Sequence, residues 1–164
     1  MDAVLDALHE KDWQAVRSIY LEGIATGDAT FETKVPHWKK WNKGHLMSCR
    51  LIARMRDQVV GWAALSPVSR RCAYAGVAEV SIYITASWRG KGIGRLLMQA
   101  LIDASEKEGI WTLQSSMFPE NGASLRLHES CGFRQVGIRE RISRLKGTWR
   151  DTIIMERRSH VVGL

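Results

Sequence analysis

The stretch Trp88-Arg-Gly-Lys-Gly-Ile-Gly-Arg95 decides how the surrounding chain folds. Residues 80–85 precede it with alternating apolar and β-branched side chains, a pattern that predicts a half-buried strand. After it, apolar side chains recur at helical spacing, so a helix begins within the glycines. These apolar positions are Ile93, Leu96, Leu97, Ala100, Leu101 and Ala104. The local order is therefore strand, glycine-rich turn, helix.

The glycine-rich turn has the properties of an anion site. Gly90, Gly92 and Gly94 let the backbone turn sharply and leave no Cβ in the way of a ligand. The first amides of the following helix are unpaired and carry the positive end of its dipole, which favours a phosphate. A Walker loop is excluded because no Lys-Ser or Lys-Thr follows, and the dinucleotide pattern fails because its third glycine would fall on Arg95. An ordinary basic turn before an amphipathic helix is the alternative.

Length and composition indicate one domain over residues 1–164. The 164 residues are 45% hydrophobic, enough for a core, without a run long enough to span a membrane or a signal-like start. We therefore expect a soluble cytoplasmic protein that does not associate with membranes. Cys49, Cys72 and Cys131 are odd in number and lack metal-ligand spacing, which predicts free thiols and no metal site. The net charge of +7 is spread along the chain without a nucleic-acid-binding module, so we expect no nucleic acid partner.

The elements predicted along the chain alternate between helix and strand. They describe one α/β (α+β) domain around a mixed sheet. In chain order they are an edge strand at residues 3–8, a helix from Asp12 to the Gly27-Asp28 turn, a β-leaning piece at residues 29–33, a helix with Pro36 in its first turn, a hairpin of residues 49–55 and 59–65, a strand at 79–85, the helix of the glycine loop, a strand at 111–118, a helix from Asn121, and strands at 136–145 and 148–157.

A second motif, Asn121-Gly-Ala-Ser-Leu-Arg-Leu-His128-Glu-Ser-Cys-Gly-Phe133, follows about two dozen residues after the glycine loop. Asn121 alone is explained by helix capping, but its combination with the glycine loop is not. Together the two motifs resemble the GNAT N-acetyltransferases, in which an Arg/Gln-x-x-Gly-x-Gly loop holds the pyrophosphate of coenzyme A. The resemblance implies a single domain with a mixed, mostly antiparallel sheet flanked by helices.

Within that superfamily, further stretches resemble the phosphinothricin acetyltransferase branch, which includes enzymes for methionine sulfoximine and methionine sulfone. These stretches are Ala29-Thr-Phe-Glu-Thr33, Arg71-x-Ala-Tyr74, Ser81-Ile-Tyr-Ile84 and Leu127-His-Glu129. One departure is that Glu32 stands where the phosphinothricin enzymes often carry arginine. The resemblance also implies a homodimer.

The resemblance implies that acetyl-CoA is the acetyl donor, used without a metal, and assigns residues to it. The backbone amides of Ile82 and Ile84 would bond the pantetheine arm, which lies in a gap between this strand and the strand at 111–118, and one of them could serve as an oxyanion donor. The residues expected to contact the donor are Ile82, Tyr83, Ile84, Arg89, Gly90, Lys91, Gly92, Ile93, Gly94, Arg95 and Asn121.

Two residues are expected to move protons. A free amine is mostly protonated near pH 7, so the site must remove a proton. Glu79 matches the acidic position of the branch and is assigned as the general base, acting directly or through water. His128 occupies the position of a tyrosine that protonates the departing thiolate in many GNAT enzymes, and either acid or base duty suits a histidine. An exposed strand carboxylate and a packed helix histidine are the structural alternatives.

For the acceptor, Arg71 is expected to bind a carboxylate, and Phe31 and Tyr74 to form a wall for the side chain. The function implied is N-acetylation of a small amino acid analogue of the phosphinothricin, methionine sulfoximine or methionine sulfone type. A GNAT enzyme that acetylates protein N-termini or another amine is one alternative. A basic nucleic-acid-binding domain is the alternative outside the enzymes.

Overall fold

A computed structural model describes residues 2–164. Seven strands form one sheet in the order β1-β2-β3-β4-β5-β7-β6, and every neighbouring pair is antiparallel except β4 with β5. The mixed, mostly antiparallel fold class is therefore confirmed. The elements are β1 Val4–Ala7, α1 Trp13–Ala25, α2 Trp38–Gly44, β2 Arg50–Met55, β3 Gln58–Pro67, β4 Val77–Ile84, α3 Ile93–Lys107, β5 Thr112–Met117, α4 Gly122–Ser130, β6 Arg134–Leu145 and β7 Thr148–Arg158, with short 3-10 turns at Glu10–Asp12, Cys72–Tyr74 and Ala86–Trp88.

Each face of the sheet is covered by its own apolar core. On one face α3 packs Leu97 and Leu101, both fully buried, against Val80 of β4. On the other face α1 and α2 cover an aromatic cluster in which Trp41 and Trp62 are almost completely buried. Because side chains alternate along a strand, β2 and β3 contribute residues to both cores.

Two local predictions are wrong. Residues 29–33 form an irregular loop, not a strand: the Thr30 hydroxyl accepts a hydrogen bond from the Glu32 amide, a local turn that competes with strand pairing. Pro36 does not lie in the first turn of α2. The helix begins at Trp38, after His37, whose ring nitrogen accepts a hydrogen bond from the Lys40 amide at 3.4 Å.

Two whole-chain expectations concern cysteines and membranes. Cys49, Cys72 and Cys131 are unpaired, as predicted. Within residues 2–164, none of the helices combines the length and the apolar character needed to cross a bilayer.

Candidate active site

The central feature of the molecule is a gap between β4 and β5. The two strands pair only at Val77 with Thr112, Ala78 with Leu113 and Glu79 with Gln114. Beyond Glu79 they diverge, and the space between them opens into a cavity of about 1140 Å³ lined by both strands. The sequence therefore builds a sheet that is closed at one end of β4 and open at the other.

The unpaired edge of β4 presents backbone amides to the gap. The Thr85 amide donates to the Val60 carbonyl on β3, on the side of β4 away from the gap. Amide directions alternate along a strand, so the N–H groups of Ile82 and Ile84 point into the gap. The Tyr83 side chain lies on the face of the sheet that α1 and α2 cover. There its ring stacks on those of Tyr20 and Trp62, with centroid distances of 4.8 and 4.9 Å.

The glycine loop lies beyond the open end of β4. Gly90 and Gly92 have left-handed backbone angles, φ of 72° and 84°, and Gly92 is the N-cap of α3. The first amides of α3 therefore have no acceptor within the helix. Glycine is needed at position 94 for a different reason. A Cβ there would lie 3.2 Å from Leu127 Cδ2, so glycine allows α3 and α4 to approach closely.

The loop residues that were predicted to contact acetyl-CoA divide into two groups. The cavity is lined by Arg89, Gly90, Gly92, Gly94 and Arg95. Lys91 and Ile93 do not line it: the Lys91 ammonium lies 4.7 Å from the centre of the Trp88 ring, and the Ile93 side chain is buried in the core. The Arg89 side chain donates to the Ile84 carbonyl at 3.0 Å, which ties the loop to β4.

Glu22 of α1 holds the turn that leads into the glycine loop. Its carboxylate accepts hydrogen bonds from the Thr85 hydroxyl at 2.8 Å and from the Ala86 amide at 2.6 Å. Sequence reasoning missed this residue because its partners lie more than 60 positions away. Arg126 of α4 also lines the cavity and adds a third arginine to those of the loop and α3.

Glu79 is the last residue of β4 that pairs with β5, and the gap begins just after it. Its carboxylate is half-buried, lines the cavity and accepts a hydrogen bond from the Gln114 side chain at 3.0 Å. One carboxylate oxygen is held in place by this bond, and the other is left to interact with whatever occupies the cavity.

His128 of α4 lines the same cavity but is almost completely buried, with 1% of its surface exposed. Its Nδ1 lies 2.7 Å from the Ser124 carbonyl and must donate to it, while Nε2 is buried without a partner in the described part of the chain. Burial lowers the pKa of His128, partly opposed by the bond to Ser124. The ring is therefore neutral at pH 7, with a lone pair on Nε2.

Asn121 is occupied by structural hydrogen bonds. Its side-chain oxygen accepts from the Ser124 amide at 3.2 Å and caps α4, and its side-chain nitrogen donates to the Asp28 carbonyl at 3.2 Å. Asn121 lines the cavity and links α4 to the loop after α1.

The three predicted acceptor residues are not brought together. Phe31 lines the cavity and packs edge-on against Phe118, with ring centroids 4.8 Å apart. Arg71 and Tyr74 lie at the turn before β4 and are not among the residues that line the cavity. They lie near each other, with the Arg71 guanidinium 5.6 Å from the centre of the Tyr74 ring.

Arg150 of β7 fixes the loop that carries Phe31, and sequence reasoning also missed it. Its guanidinium donates to the Gly27 carbonyl at 3.0 Å, to Asp28 at 2.9 Å and to Glu120 at 3.2 Å. It also lies 4.0 Å from the centre of the Phe118 ring. The contacts join β7, the segment before α4 and the loop after α1 into one wall of the cavity.

Among residues 2–164 there is no group of three or more His, Cys, Asp and Glu side chains that could hold a metal ion. The cavity is lined by the carboxylates of Asp28, Glu32, Glu79 and Glu120, by the His128 imidazole and by arginines. Asp28 and Glu120 are paired with Arg150, whereas Glu79 lies where the gap begins.

Residues 7–133 match the acetyltransferase (GNAT) family, and this range contains the gap, the glycine loop, Glu79 and His128. The chain belongs to the GNAT acetyltransferase family, as predicted.

Its relatives within the family have narrower names. A phosphinothricin N-acetyltransferase of Streptomyces coelicolor is 35% identical over 156 residues, which cover 90% of this chain and 91% of that protein. An L-methionine sulfoximine/L-methionine sulfone acetyltransferase of Pseudomonas aeruginosa is 30% identical over 99 residues, 60% of this chain and 58% of that protein. The crystal structure of a phosphinothricin acetyltransferase from Sinorhizobium meliloti in complex with acetyl-CoA superposes with a TM-score of 0.87 at 27% identity and covers 99% of this chain and 91% of that chain. The predicted similarity to this branch is confirmed.

Proposed function

We propose that this protein is an acetyl-CoA-dependent N-acetyltransferase, a single catalytic domain over residues 1–164, whose acceptor is the amino group of a small amino acid analogue. The acceptor class is that of phosphinothricin, methionine sulfoximine and methionine sulfone. The observation that carries the proposal is the gap between β4 and β5, with unpaired amides along one side and a glycine loop beyond its open end. The names of the relatives support the acceptor class.

The residues present suit acetyl-CoA, which supplies the acetyl group as a thioester. The Ile82 and Ile84 amides are available to bond an extended pantetheine arm as a neighbouring strand would. The first amides of α3 and the side chains of Arg89 and Arg95 suit the pyrophosphate. Tyr83 lies between these two amides, and its backbone groups face β3, so it supports β4 rather than bonding the arm. Asn121 positions α4. Lys91 adds positive charge to the loop, and the buried Ile93 packs the start of α3 against the core.

Glu79 is proposed as the general base that removes a proton from the acceptor ammonium, directly or through one water molecule. The neutral amine then forms the new C–N bond, and one β4 amide donates a hydrogen bond to the thioester oxygen as negative charge develops there. The C–S bond breaks, and coenzyme A leaves as the thiol once it has gained a proton.

His128 is proposed to accept rather than to donate a hydrogen bond in this reaction. With Nδ1–H committed to the Ser124 carbonyl and the ring neutral, Nε2 has a lone pair and no proton to give. The sequence left both an acid and a base role open for His128. The geometry supports the base role, in which Nε2 accepts a hydrogen bond or a proton. The proton for the departing thiolate then comes from the acceptor nitrogen or from water.

On the acceptor side, Phe31 is proposed as a wall for the substrate's side chain because it lines the cavity. The roles predicted for Arg71 and Tyr74, as carboxylate partner and second wall, have less support because these residues lie outside the cavity lining. They stay predictions, tested by the effect of Arg71→Gln on the KM for the acceptor.

The first experiment measures thiol release from acetyl-CoA with phosphinothricin, methionine sulfoximine, methionine sulfone and a short peptide as acceptors. We expect activity with at least one amino acid analogue, and activity with the peptide alone would refute the proposed acceptor class. Glu79→Gln keeps the size of the side chain and an oxygen for Gln114, so it should fold normally while turnover falls by about 10²–10⁴-fold. Unchanged turnover and pH profile would refute the role of Glu79.

A homodimer is proposed from the edge of the sheet formed by β6. This strand has an unpaired side and exposes Val136 and Ile138 to 48% and 62%, the kind of edge that pairs with another chain. Light scattering should give twice the mass of the chain, and Ile138→Glu should give the monomer. A location in the cytoplasm is proposed from the three unpaired cysteines.

A further inference from the structure

Two arginines that line the cavity, Arg126 and Arg139, have no role in the reaction as described so far. Four arginines line the cavity: Arg89, Arg95 and Arg126 come from the glycine loop, α3 and α4, whereas Arg139 comes from β6. Arg139 is exposed and forms no ion pair with any residue between 2 and 164. Arg150, on the neighbouring strand, is by contrast fully engaged with protein oxygens.

Strand alternation places Arg139 on the same face of the sheet as Glu79. Val80, Met117 and Ile153 all belong to the core on the α3 side, so their neighbours Glu79 on β4 and Thr152 on β7 face the opposite side. Arg139 is the direct partner of Thr152 in the β6–β7 ladder and shares its face. The Glu79 carboxylate and the Arg139 cation therefore lie on the same face of the sheet, in a cavity that Asp28, Glu32 and Glu120 also line.

The local backbone keeps Arg139 at the cavity. Regular pairing of β6 with β7 stops after Arg139 and resumes at Ser143, and the bulge between them is held by the Arg141 amide donating to Asp151 at 2.7 Å. The bulge brings Ile142 and Ser143 to the cavity as well. Ile142 and Phe31 thus supply apolar surface in the same cavity, suited to a chain of methylene groups.

The separation of the charges selects the part of the acceptor that reaches Arg139. Since β5 and β7 lie between β4 and β6, the two strands are three spacings apart, roughly 14 Å across the sheet. The register aligns Glu79 with Glu156 of β7, whereas Arg139 pairs with Thr152, four residues away or roughly 13 Å along the strand, so the two backbones are roughly 19 Å apart and the side chains of Glu79 and Arg139 span part of that distance. The amino and carboxylate groups of an α-amino acid share one carbon atom, whereas the terminal group of a methionine-like side chain lies several bonds further from the amine.

Building on the proposed function, we infer that Arg139 binds the terminal oxygens of the acceptor side chain, as found in a phosphinate, a sulfone or a sulfoximine. The guanidinium can donate two parallel hydrogen bonds to such a pair of oxygens or to an oxygen and a nitrogen. Arg139 is then a specificity residue that separates these analogues from amino acids of the same length with an apolar end.

The test compares Arg139→Gln with the wild-type enzyme and with Arg144→Gln. Arg144 is a matched control because it is on the same strand, lies 4.5 Å from the centre of the Trp149 ring and does not line the cavity. Three acceptors are used: methionine sulfone, norleucine, which lacks the terminal oxygens, and the amine made by removing the carboxylate of methionine sulfone.

Arg139→Gln should lower kcat/KM about tenfold to a hundredfold for methionine sulfone and for its carboxylate-free amine. It should leave kcat/KM for norleucine and the KM for acetyl-CoA unchanged, and Arg144→Gln should have no such effect. An equal loss with norleucine and none with the carboxylate-free amine would assign Arg139 to the carboxylate and overturn the inference. No loss with any acceptor would overturn it while leaving the proposed function intact, whereas a wild-type enzyme active only on a peptide would overturn both.

Discussion

The buried imidazole of His128 makes the stability of the protein depend on pH, and a single substitution at this position should reduce that dependence. Burial lowers the pKa of this group in the folded chain relative to about 6.5 in the unfolded chain. Above that pH both states are neutral and the group adds no pH dependence. Below it the unfolded chain binds a proton that the folded chain excludes, so the free energy of unfolding falls as the pH falls.

The size of the effect is bounded by the proton count. One proton taken up only by the unfolded chain removes at most about 1.4 kcal/mol for each pH unit below about 6.5. For a chain of this size that corresponds to roughly 3–5 °C in Tm per pH unit. His45, whose pKa is also lowered by burial, adds a second contribution of the same sign.

The variant that tests this is His128→Asn. Its side-chain amide nitrogen is placed to keep the donation to the Ser124 carbonyl but does not titrate. It loses the edge-on contact of the ring with Phe133, whose centroid is 4.9 Å away, so the variant should be less stable at pH 7.5. Between pH 6.5 and 5.5, however, its stability should fall less steeply than that of the wild type.

Urea unfolding at pH 7.5, 6.5 and 5.5 measures both effects, and replacement of the exposed His160 by Asn is the matched comparison for loss of an imidazole outside the core. Nitrogen NMR of the wild type at pH 7 should show the proton on Nδ1. An acid slope in His128→Asn as steep as that of the wild type, or a proton on both ring nitrogens at pH 7, would refute a neutral His128 and with it the acceptor role of Nε2.

Three further substitutions test contacts that support the site. Arg50 is buried and donates to carbonyls at the end of α2, so Arg50→Met leaves several acceptors unpaired and should cost about 3 kcal/mol in urea unfolding; a loss below about 0.5 kcal/mol would contradict this. Glu22→Ala removes the acceptor of the Ala86 amide and should raise the KM for acetyl-CoA about tenfold without changing the KM for the acceptor; equal changes in both would argue for general unfolding. Gly76→Ala would place a Cβ 2.0 Å from the Trp111 ring and should lower stability by about 1–3 kcal/mol; an unchanged Tm would show that the ring moves freely.

The parts of the fold that sequence reasoning predicted correctly depend on neighbours in the chain. The turn at Gly90 and Gly92 and the helix after it follow from local backbone angles and from apolar spacing. The capping role of Asn121 is equally local, since its partner Ser124 is three residues away. Such features can be read without knowing which strands are adjacent.

The features that were missed depend on contacts between distant residues. Glu22 meets Thr85 across 63 positions, and Arg150 meets Asp28 across 122. No residue pattern indicates such pairs. The burial of His128 also follows from tertiary packing, here of α4 against the sheet, and a single sequence does not distinguish a buried helix histidine from an exposed one. Residues 29–33 have strand-like composition, but the described structure gives them no partner strand.

The short joint between β4 and β5 determines how the protein should respond to a ligand even without turnover. With the gap open, the four strands β1 to β4 and the three strands β5 to β7 are hydrogen-bonded to each other at only three residue pairs. The amide hydrogens of Ile82 and Ile84 then exchange readily with deuterium. Acetyl-CoA with its pantetheine arm extended along β4 would slow exchange at these two amides. It would also couple the motions of the two parts of the sheet.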